Sequence, residues 1–265
     1  MTTSLRIDSH TPADDAIPRL MDQHGGRMYN LGLRLCGDEE DAKDLVQDTF
    51  LQAYRKWDQF EGRSNVTTWL YTIAARNCQR MHRLRAGQPT HMESLDELLP
   101  FGETRMACIP DSLPDPATKV SQRDLQEQIL QAISTLPLDF RIPIILKDIV
   151  DLSVGDIATI LDTKPETIKT RIHRARLRVR KAITEDLPSE NAPPPTYDIH
   201  TCLDLLFAKQ EALDRGVPFP VGSDVLCRHC HSVFASLELG RNLCLELGQG
   251  TIPTELRNRI LERIR

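Results

Sequence analysis

Apolar residues recur at helical spacing along most of the chain. Leu20, Met21, Met28, Leu31, Leu33 and Leu35 predict a helix running from Ile17 to a stop at Cys36-Gly37. Asp38 caps the next, DEEDAKDLVQDTFLQAYRKW, whose first-turn acids suit the helix dipole. Its stripe of Ala42, Leu45, Val46, Thr49, Phe50, Ala53 and Trp57 leaves Asp41, Asp44, Gln47, Asp48 and Gln52 on outer faces. After the polar loop from Gln59 to Asn65, NVTTWLYTIAARNCQRMHRLR sets Trp69, Leu70, Ile73, Ala74 and Asn77 on one side. Periodicity then lapses across 93–121, where Pro100, Pro110, Pro114 and Pro116 predict an irregular linker. Leu125, Ile129, Ala132, Ile133 and Leu136 restore it, and LPLDFRIPIILKDIVDLS supplies another helix.

Two short stripes follow, Val154, Ile157, Ala158 and Leu161, then Ile168, Ile172, Ala175 and Val179. Asp162-Thr163-Lys164-Pro165 separates them. Thr163 suits a cap and Pro165 a first helical turn, so the pair reads as a helix-turn-helix. The run from Pro188 to Pro193-Pro194-Pro195 predicts a stiff, extended spacer. An all-α chain is expected, with helical domains at 1–92 and 122–187, a linker at 93–121, a spacer at 188–196 and a small helical domain at 197–265.

Charge changes the picture. The chain of 265 residues has a net charge of −5, unpromising for a binder of polyanions until it is divided. Residues 63–92 hold 5 Lys/Arg and no acid, and residues 164–185 hold 8 against 2. The other segments are acidic, so two basic islands predict two separate contacts with a nucleic acid. From Lys164 to Lys181, on the helix after the turn, the second island sets Lys164, Lys169, Arg171, Arg174, Arg176, Arg178, Arg180 and Lys181 against the one acid Glu166. A solvated basic helix is the plain alternative; the tight turn and the charge excess favour a helix lying in a DNA groove. In the first island Arg76, Arg80, Arg83, Arg85 and His82 stand near Phe60, Trp69 and Tyr71. That combination suits single-stranded DNA, although the aromatic rings serve equally as core. Arg176, Arg178 and Arg180 are expected at phosphates or in solvent.

Other classes fall away. No apolar run approaches the roughly 18 residues of a membrane span and no signal-peptide core opens the chain, so a cytoplasmic protein is expected. Seven cysteines, an odd number, do not suggest a secreted disulfide framework. Neither a G-x-x-x-x-G-K-[ST] loop nor H-E-x-x-H nor G-x-S-x-G occurs, so no enzyme is expected. A stand-alone DNA-binding regulator stays open, but a reader of duplex alone does not require the segment 60–85.

The block DAKDLVQDTFLQAYRKWDQFEGRSNVTTWLYTIAARNCQRMHR resembles the second region of bacterial RNA polymerase sigma factors of the extracytoplasmic-function (ECF) group. ETIKTRIHRARLRVRKAI resembles that group's fourth region, in the order the family uses. The resemblance implies that Asp41, Asp44, Gln47 and Asp48 dock on core RNA polymerase. It implies that the loop Glu61–Thr68, with Arg63, Ser64 and Asn65, and the following helix with Arg76, Arg80 and Arg83 capture and open the minus-ten element of promoter DNA. Thr167, Lys169, Thr170, Arg171 and Arg174 would read the minus-thirty-five element in the major groove.

The tail 186–265 extends past the end of an ordinary member. Cys227 and Cys230 share a helical face with His231, while His229 points away; Cys202 or His200 could complete a tetrahedral set. This part resembles a zinc-binding anti-sigma domain, although the histidine that family places four residues before the cysteine pair is Ser223 here. The resemblance implies zinc held by Cys202, Cys227 and Cys230, with His231, His200 or Asp224 as the fourth ligand. Packing without metal is the alternative, and Cys244 is expected in the core. A regulator of the sigma portion, fused in cis, is the expected role of the tail.

Overall fold

The structure, a computed structural model, describes residues 7–62, 64–83, 87, 89–109, 122–185, 187–193, 196–222 and 224–264. Arg63, Arg85, Ser223 and the linker residues 110–121 lie outside the described residues. Eleven α-helices are described: α1 (Ala13–Cys36), α2 (Glu39–Arg55), α3 (Val66–Arg83), α4 (Leu95–Leu98), α5 (Gln122–Ser134), α6 (Leu138–Ile144), α7 (Val154–Leu161), α8 (Pro165–Glu185), α9 (Ile199–Arg215), α10 (Arg228–Leu247) and α11 (Thr254–Ile264). Two short strands, β1 (Arg105–Ala107) and β2 (Ser189–Asn191), complete an all-α fold. No helix among the described residues is long and apolar enough to cross a membrane.

The chain divides into two compact units, one of residues 1–88, 155–168 and 247–265, the other of residues 89–154 and 169–246. In the first, α1 to α3 form because their stripes fall at the helical period and their ends are marked. Gly37 closes α1 in a left-handed conformation at φ 72° that costs glycine little, its N–H bonded to the Leu33 carbonyl. One residue on, the Asp38 carboxylate accepts the Asp41 N–H at 3.1 Å and caps α2. Gly32 permits the close crossing of these helices, since a side chain there would meet Ala42 Cα at 3.1 Å. Ile17, Leu20, Met28, Leu31, Leu45, Phe50, Leu70 and Ala74 fill the core between them.

The aromatics of the first basic island belong to that core. Trp57, Phe60 and Trp69 form a ring cluster with centroids 5.3–5.7 Å apart. Phe60 is buried and Tyr71 wholly so, so neither can stack on a base; Trp69 is half-buried.

In the second unit, α6 runs through Pro143 into a π-helical stretch, Ile145–Ile149, with the Val150 N–H reaching back to the Ile145 carbonyl. A proline that removes one helical donor accounts for that slip of register. The linker and the spacer depart from expectation together. Each contributes one three-residue strand, and the two pair antiparallel, with Arg105 opposite Asn191 and Ala107 opposite Ser189; the linker also holds α4 and a tight turn at Pro100–Gly102. Strands of three residues are too short for an alternating pattern, so the sequence carries no sign of them. Leu98 of the linker, Leu177 of α8, and Cys202, Leu206, Cys230, Val233 and Phe234 of the tail share one apolar core.

Candidate nucleic-acid and polymerase interfaces

Helix α8 is the centre of the second unit from Lys169 onward. Its apolar stripe, Ile172, Ala175, Val179 and Ile183, is buried as the period requires. So are two of its arginines. Arg176 is 3 % exposed and bonds to both oxygens of Asp148, at 2.7 and 2.8 Å, and to Asp214 of α9 at 2.7 Å. Arg180 is 2 % exposed, grips both oxygens of Glu103 in the linker at 2.7 Å and reaches Ser236 of α10. Their expected place at phosphates or in solvent is therefore corrected. The helix has cover on more than its apolar side, and a guanidinium so enclosed is tolerable only with carboxylates around it.

The remaining cations from Lys169 to Lys181 are also partnered. Lys169 meets Glu211 of α9 at 2.5 Å, and Arg171 meets Asp139 at 3.0 Å. Arg174 donates to the Glu93 carbonyl at 2.6 Å and lies over the Phe140 ring. Arg178 and Lys181 both reach the Glu93 carboxylate at 2.9 Å. Thr167 and Thr170 are exposed. Of the side chains that sequence assigns to DNA, Lys169 is thus held by a tail acid, Arg171 by Asp139 of α6 and Arg174 by a linker carbonyl. His173 completes the arrangement, its Nε2 2.9 Å from Asp214. Burial works to raise the Asp214 pKa, but His173 and Arg176 outweigh it and hold the carboxyl below its ordinary value.

In the first unit, Asp162 adopts a left-handed turn at φ 49° between α7 and α8, and the Thr163 hydroxyl bonds back to the Leu161 carbonyl. Asn65 is exposed and its side chain accepts the Thr67 N–H at the start of α3; Ser64 beside it is half-buried. The Thr68 hydroxyl donates to Asp156 of α7 at 3.0 Å. Arg76 and Arg83 are exposed, and Arg80 pairs with Asp48 of α2 at 3.2 Å. Asp44 is exposed and Asp41 half-exposed, but Gln47 keeps only 9 % of its surface. Its outer-face position is corrected: α2 packs against both α1 and α3, so its covered arc is wider than one apolar stripe.

Three tail cysteines come together. Cys202 of α9 and Cys227, just before α10, both lie within hydrogen-bonding reach of the Cys230 thiol. Burial, reinforced by its two sulfur neighbours, pushes the Cys230 pKa up to about 12. Burial acts on Cys227 in the same sense, yet backbone N–H groups of Cys230, Thr196 and His229 lower its pKa overall. His231 is exposed, as are His200 and Asp224, while His229 is buried on the Pro100 carbonyl. Contacts among the thiols run through Cys230. Among the described residues no group of three or more His, Cys, Asp or Glu is arranged to hold a metal ion. Cys244 is buried and lines a small pocket together with Arg176 and Leu237.

Comparison with known proteins places these elements. Residues 20–87 match the model of sigma-70 region 2, and residues 126–179 that of sigma-70 region 4. The chain is 32 % identical over 171 residues to the ECF RNA polymerase sigma factor SigW of Bacillus subtilis, covering 64 % of this chain and 90 % of that protein. It is 30 % identical to the RNA polymerase sigma-H factor of Pseudomonas aeruginosa, covering 59 % of this chain and 80 % of that one. Among solved structures, the sigma factor RpoE of Bartonella quintana, in complex with the anti-sigma factor NepR, aligns with 66 % of this chain and 93 % of its own, at 26 % identity and a TM-score of 0.41. Regions 2 and 4 together define a sigma factor of the sigma-70 type. More narrowly, the chain belongs to the ECF group, whose members are initiation factors rather than enzymes.

The acids that hold α8 escaped the sequence reading. Glu211 and Asp214 stand three apart, hence on one face of α9, and that acidic pair in an otherwise amphipathic helix was the available signal. Glu93 and Glu103 had none, since they sit in an aperiodic linker. Asp214 generates a pH prediction. A carboxyl whose pKa is depressed on folding contributes stability above its unfolded value, about 3.9, and loses it as pH falls through the folded value. Asp214→Asn should lower stability at pH 7 by about 1.5–3 kcal/mol and reduce the steepness of acid unfolding below pH ~4. Urea unfolding across pH checks this; superimposable acid limbs for the two proteins would contradict it.

Proposed function

We propose that this chain is a promoter-recognition subunit of bacterial RNA polymerase whose C-terminal extension restrains it in cis. Asp41, Asp44 and Asp48 on α2 dock on core polymerase. The loop Glu61–Thr68, with Arg63, Ser64 and Asn65, and α3, with Arg76, Arg80 and Arg83, take the minus-ten element. Helix α8 reads the minus-thirty-five element through Thr167, Lys169, Thr170, Arg171 and Arg174. One observation carries the restraint: Lys169 and Arg176 are bonded to Glu211 and Asp214 of the tail helix α9. A side chain cannot bond a carboxylate and a phosphate with the same donors, so promoter binding at Lys169 competes with the hold by α9.

Asp148 makes the hold reversible. It lies in the same matched region 4 as Arg176, so departure of the tail leaves that buried guanidinium with a bidentate carboxylate. Region 4 then keeps its core while its outer cations become available to DNA.

Zinc is the second element of the reading. Three neighbouring thiols, one with a lowered pKa, are the donor chemistry of a soft-metal site. These groups are not arranged around a metal as they stand; Cys202, Cys227 and Cys230 would hold the ion once the loop before α10 closed around it, with His231 turned in as the fourth ligand. The site would tie the start of α9 to the start of α10.

Run-off transcription with core polymerase tests the restraint. Removal of residues 190–265, or the full-length variant Glu211→Gln/Asp214→Asn, should raise output from a cognate promoter severalfold. Equal output from all three proteins would remove the tail as a regulator. Metal analysis of the purified chain should find one zinc per molecule, lost in Cys227→Ser/Cys230→Ser. A metal-free wild type, purified without chelator and able to fold, would leave packing alone as the role of these cysteines.

A further inference from the structure

The last helix has its own seat, in the first unit. Helix α1 carries two glycines in its middle, Gly25-Gly26, each costing a helix about 1 kcal/mol relative to alanine. Neither has a positive φ among the described residues, so backbone freedom does not explain them. Space does. A Cβ on Gly26 would lie 2.0 Å from the Gly250 carbonyl oxygen and 2.9 Å from Thr251 Cα. On Gly25 it would lie 3.2 Å from the side chain of Ile252. The glycines open a notch in α1 that the chain entering α11 fills.

Polar contacts flank the notch on both sides. Asn30 donates to the Gln249 carbonyl at 3.1 Å, and Arg257 donates twice to Asp22 Oδ1, at 2.9 and 3.0 Å. Asp22, Gly25, Gly26 and Asn30 are spaced three, one and four apart, which places them on one face of α1. That face is distinct from the stripe of Ile17, Leu20, Leu31 and Leu35 that α1 gives to its core. Helix α11 itself buries Leu256, Ile260 and Ile264, at successive spacings of four, and packs on α1 and α2. The adjoining surface, lined by Glu39, Lys43, Thr254 and Arg259, stands apart from the outer face bearing Asp44 and Asp48.

We infer that residues 249–264 are a built-in ligand of sigma region 2, seated in the Gly25-Gly26 notch, and that this seat is the second anchor of the cis restraint. The inference rests on the reading that the tail restrains α8, and adds where the tail is fastened. One tail then makes two attachments: α9 and α10 hold α8, and α11 holds α1, joined through residues 248–253. Each attachment raises the effective concentration of the other, so loss of α11 weakens the grip on α8 without touching it. Because α11 leaves the outer face of α2 uncovered, the anchor does not itself block polymerase docking through Asp44 and Asp48.

The test uses the full-length chain with Gly26→Ala, a change that favours helix α1 by propensity but fills the notch. A second variant, Arg257→Glu, attacks the seat from the other side and is rescued by Asp22→Arg. Hydrogen exchange and run-off transcription with core polymerase are measured on each, beside Glu211→Gln/Asp214→Asn. Gly26→Ala should speed exchange across 254–264 at least tenfold, leave α2 and α3 protected and raise transcription; the Asp22→Arg/Arg257→Glu pair should return both readouts toward wild type. Undiminished protection of 254–264 in Gly26→Ala overturns the seat. Released α11 with unchanged transcription, while Glu211→Gln/Asp214→Asn raises it, overturns the anchor and spares the restraint. If neither variant raises transcription, the restraint itself fails.

Discussion

Arg176 imposes the constraint on which the second unit depends. A guanidinium stays charged at any pH the protein meets, offers five donors and cannot be buried without acceptors around it. Here it is enclosed between Asp148 of region 4 and Asp214 of the tail. Helix α8 must be basic to meet DNA and must also lie against a core, and those requirements collide at Arg176 and Arg180. Carboxylates from other segments resolve the collision. One of them, Asp148, is native to the helix-turn-helix region; the others come from the linker and the tail. What binds α8 is therefore split between a carboxylate of its own region and carboxylates of the linker and the tail.

The charge map takes on a different meaning in that light. Divided by segment, the sequence shows two basic islands among acidic stretches. Glu93, Glu103, Glu211 and Asp214 are the partners of one of those islands. In the reading proposed above, these acidic side chains compete with phosphates for the cations of α8 through charge-assisted bonds. The chain has a net charge of −5 and still carries a strongly basic helix, whose cations are partnered by its own carboxylates.

Much of the fold was legible because it rests on local rules. The stripes of α1 to α3, the Gly37 stop, the Asp38 cap and the break at Asp162–Pro165 all appear in the structure where periodicity and capping put them. Legibility ended where a residue's role depends on something distant in sequence. Gln47 looked exposed because a helical wheel knows one apolar stripe and not two neighbouring helices. The strands at 105–107 and 189–191 find each other across more than eighty positions with no pattern in either. Gly25-Gly26 carry no signal within the helical period around them; the chain at 250–252 supplies the reason for them. Spacing paired Cys227 with Cys230 and the resemblance added Cys202; the three thiols lie together, while the histidine given to them by helical phase stands exposed.

The account turns on competition between carboxylates and phosphates for the same cations of α8. The most direct measurement is the affinity of polymerase holoenzyme, assembled with the full-length chain, for a duplex bearing the minus-thirty-five element, with and without neutralisation of Glu93, Glu211 and Asp214 to Gln, Gln and Asn. Competition predicts binding at least tenfold tighter for the neutralised chain at equal salt, about 1.4 kcal/mol. Equal affinities for the two holoenzymes would mean that these carboxylates merely hold the fold together, and would contradict the account.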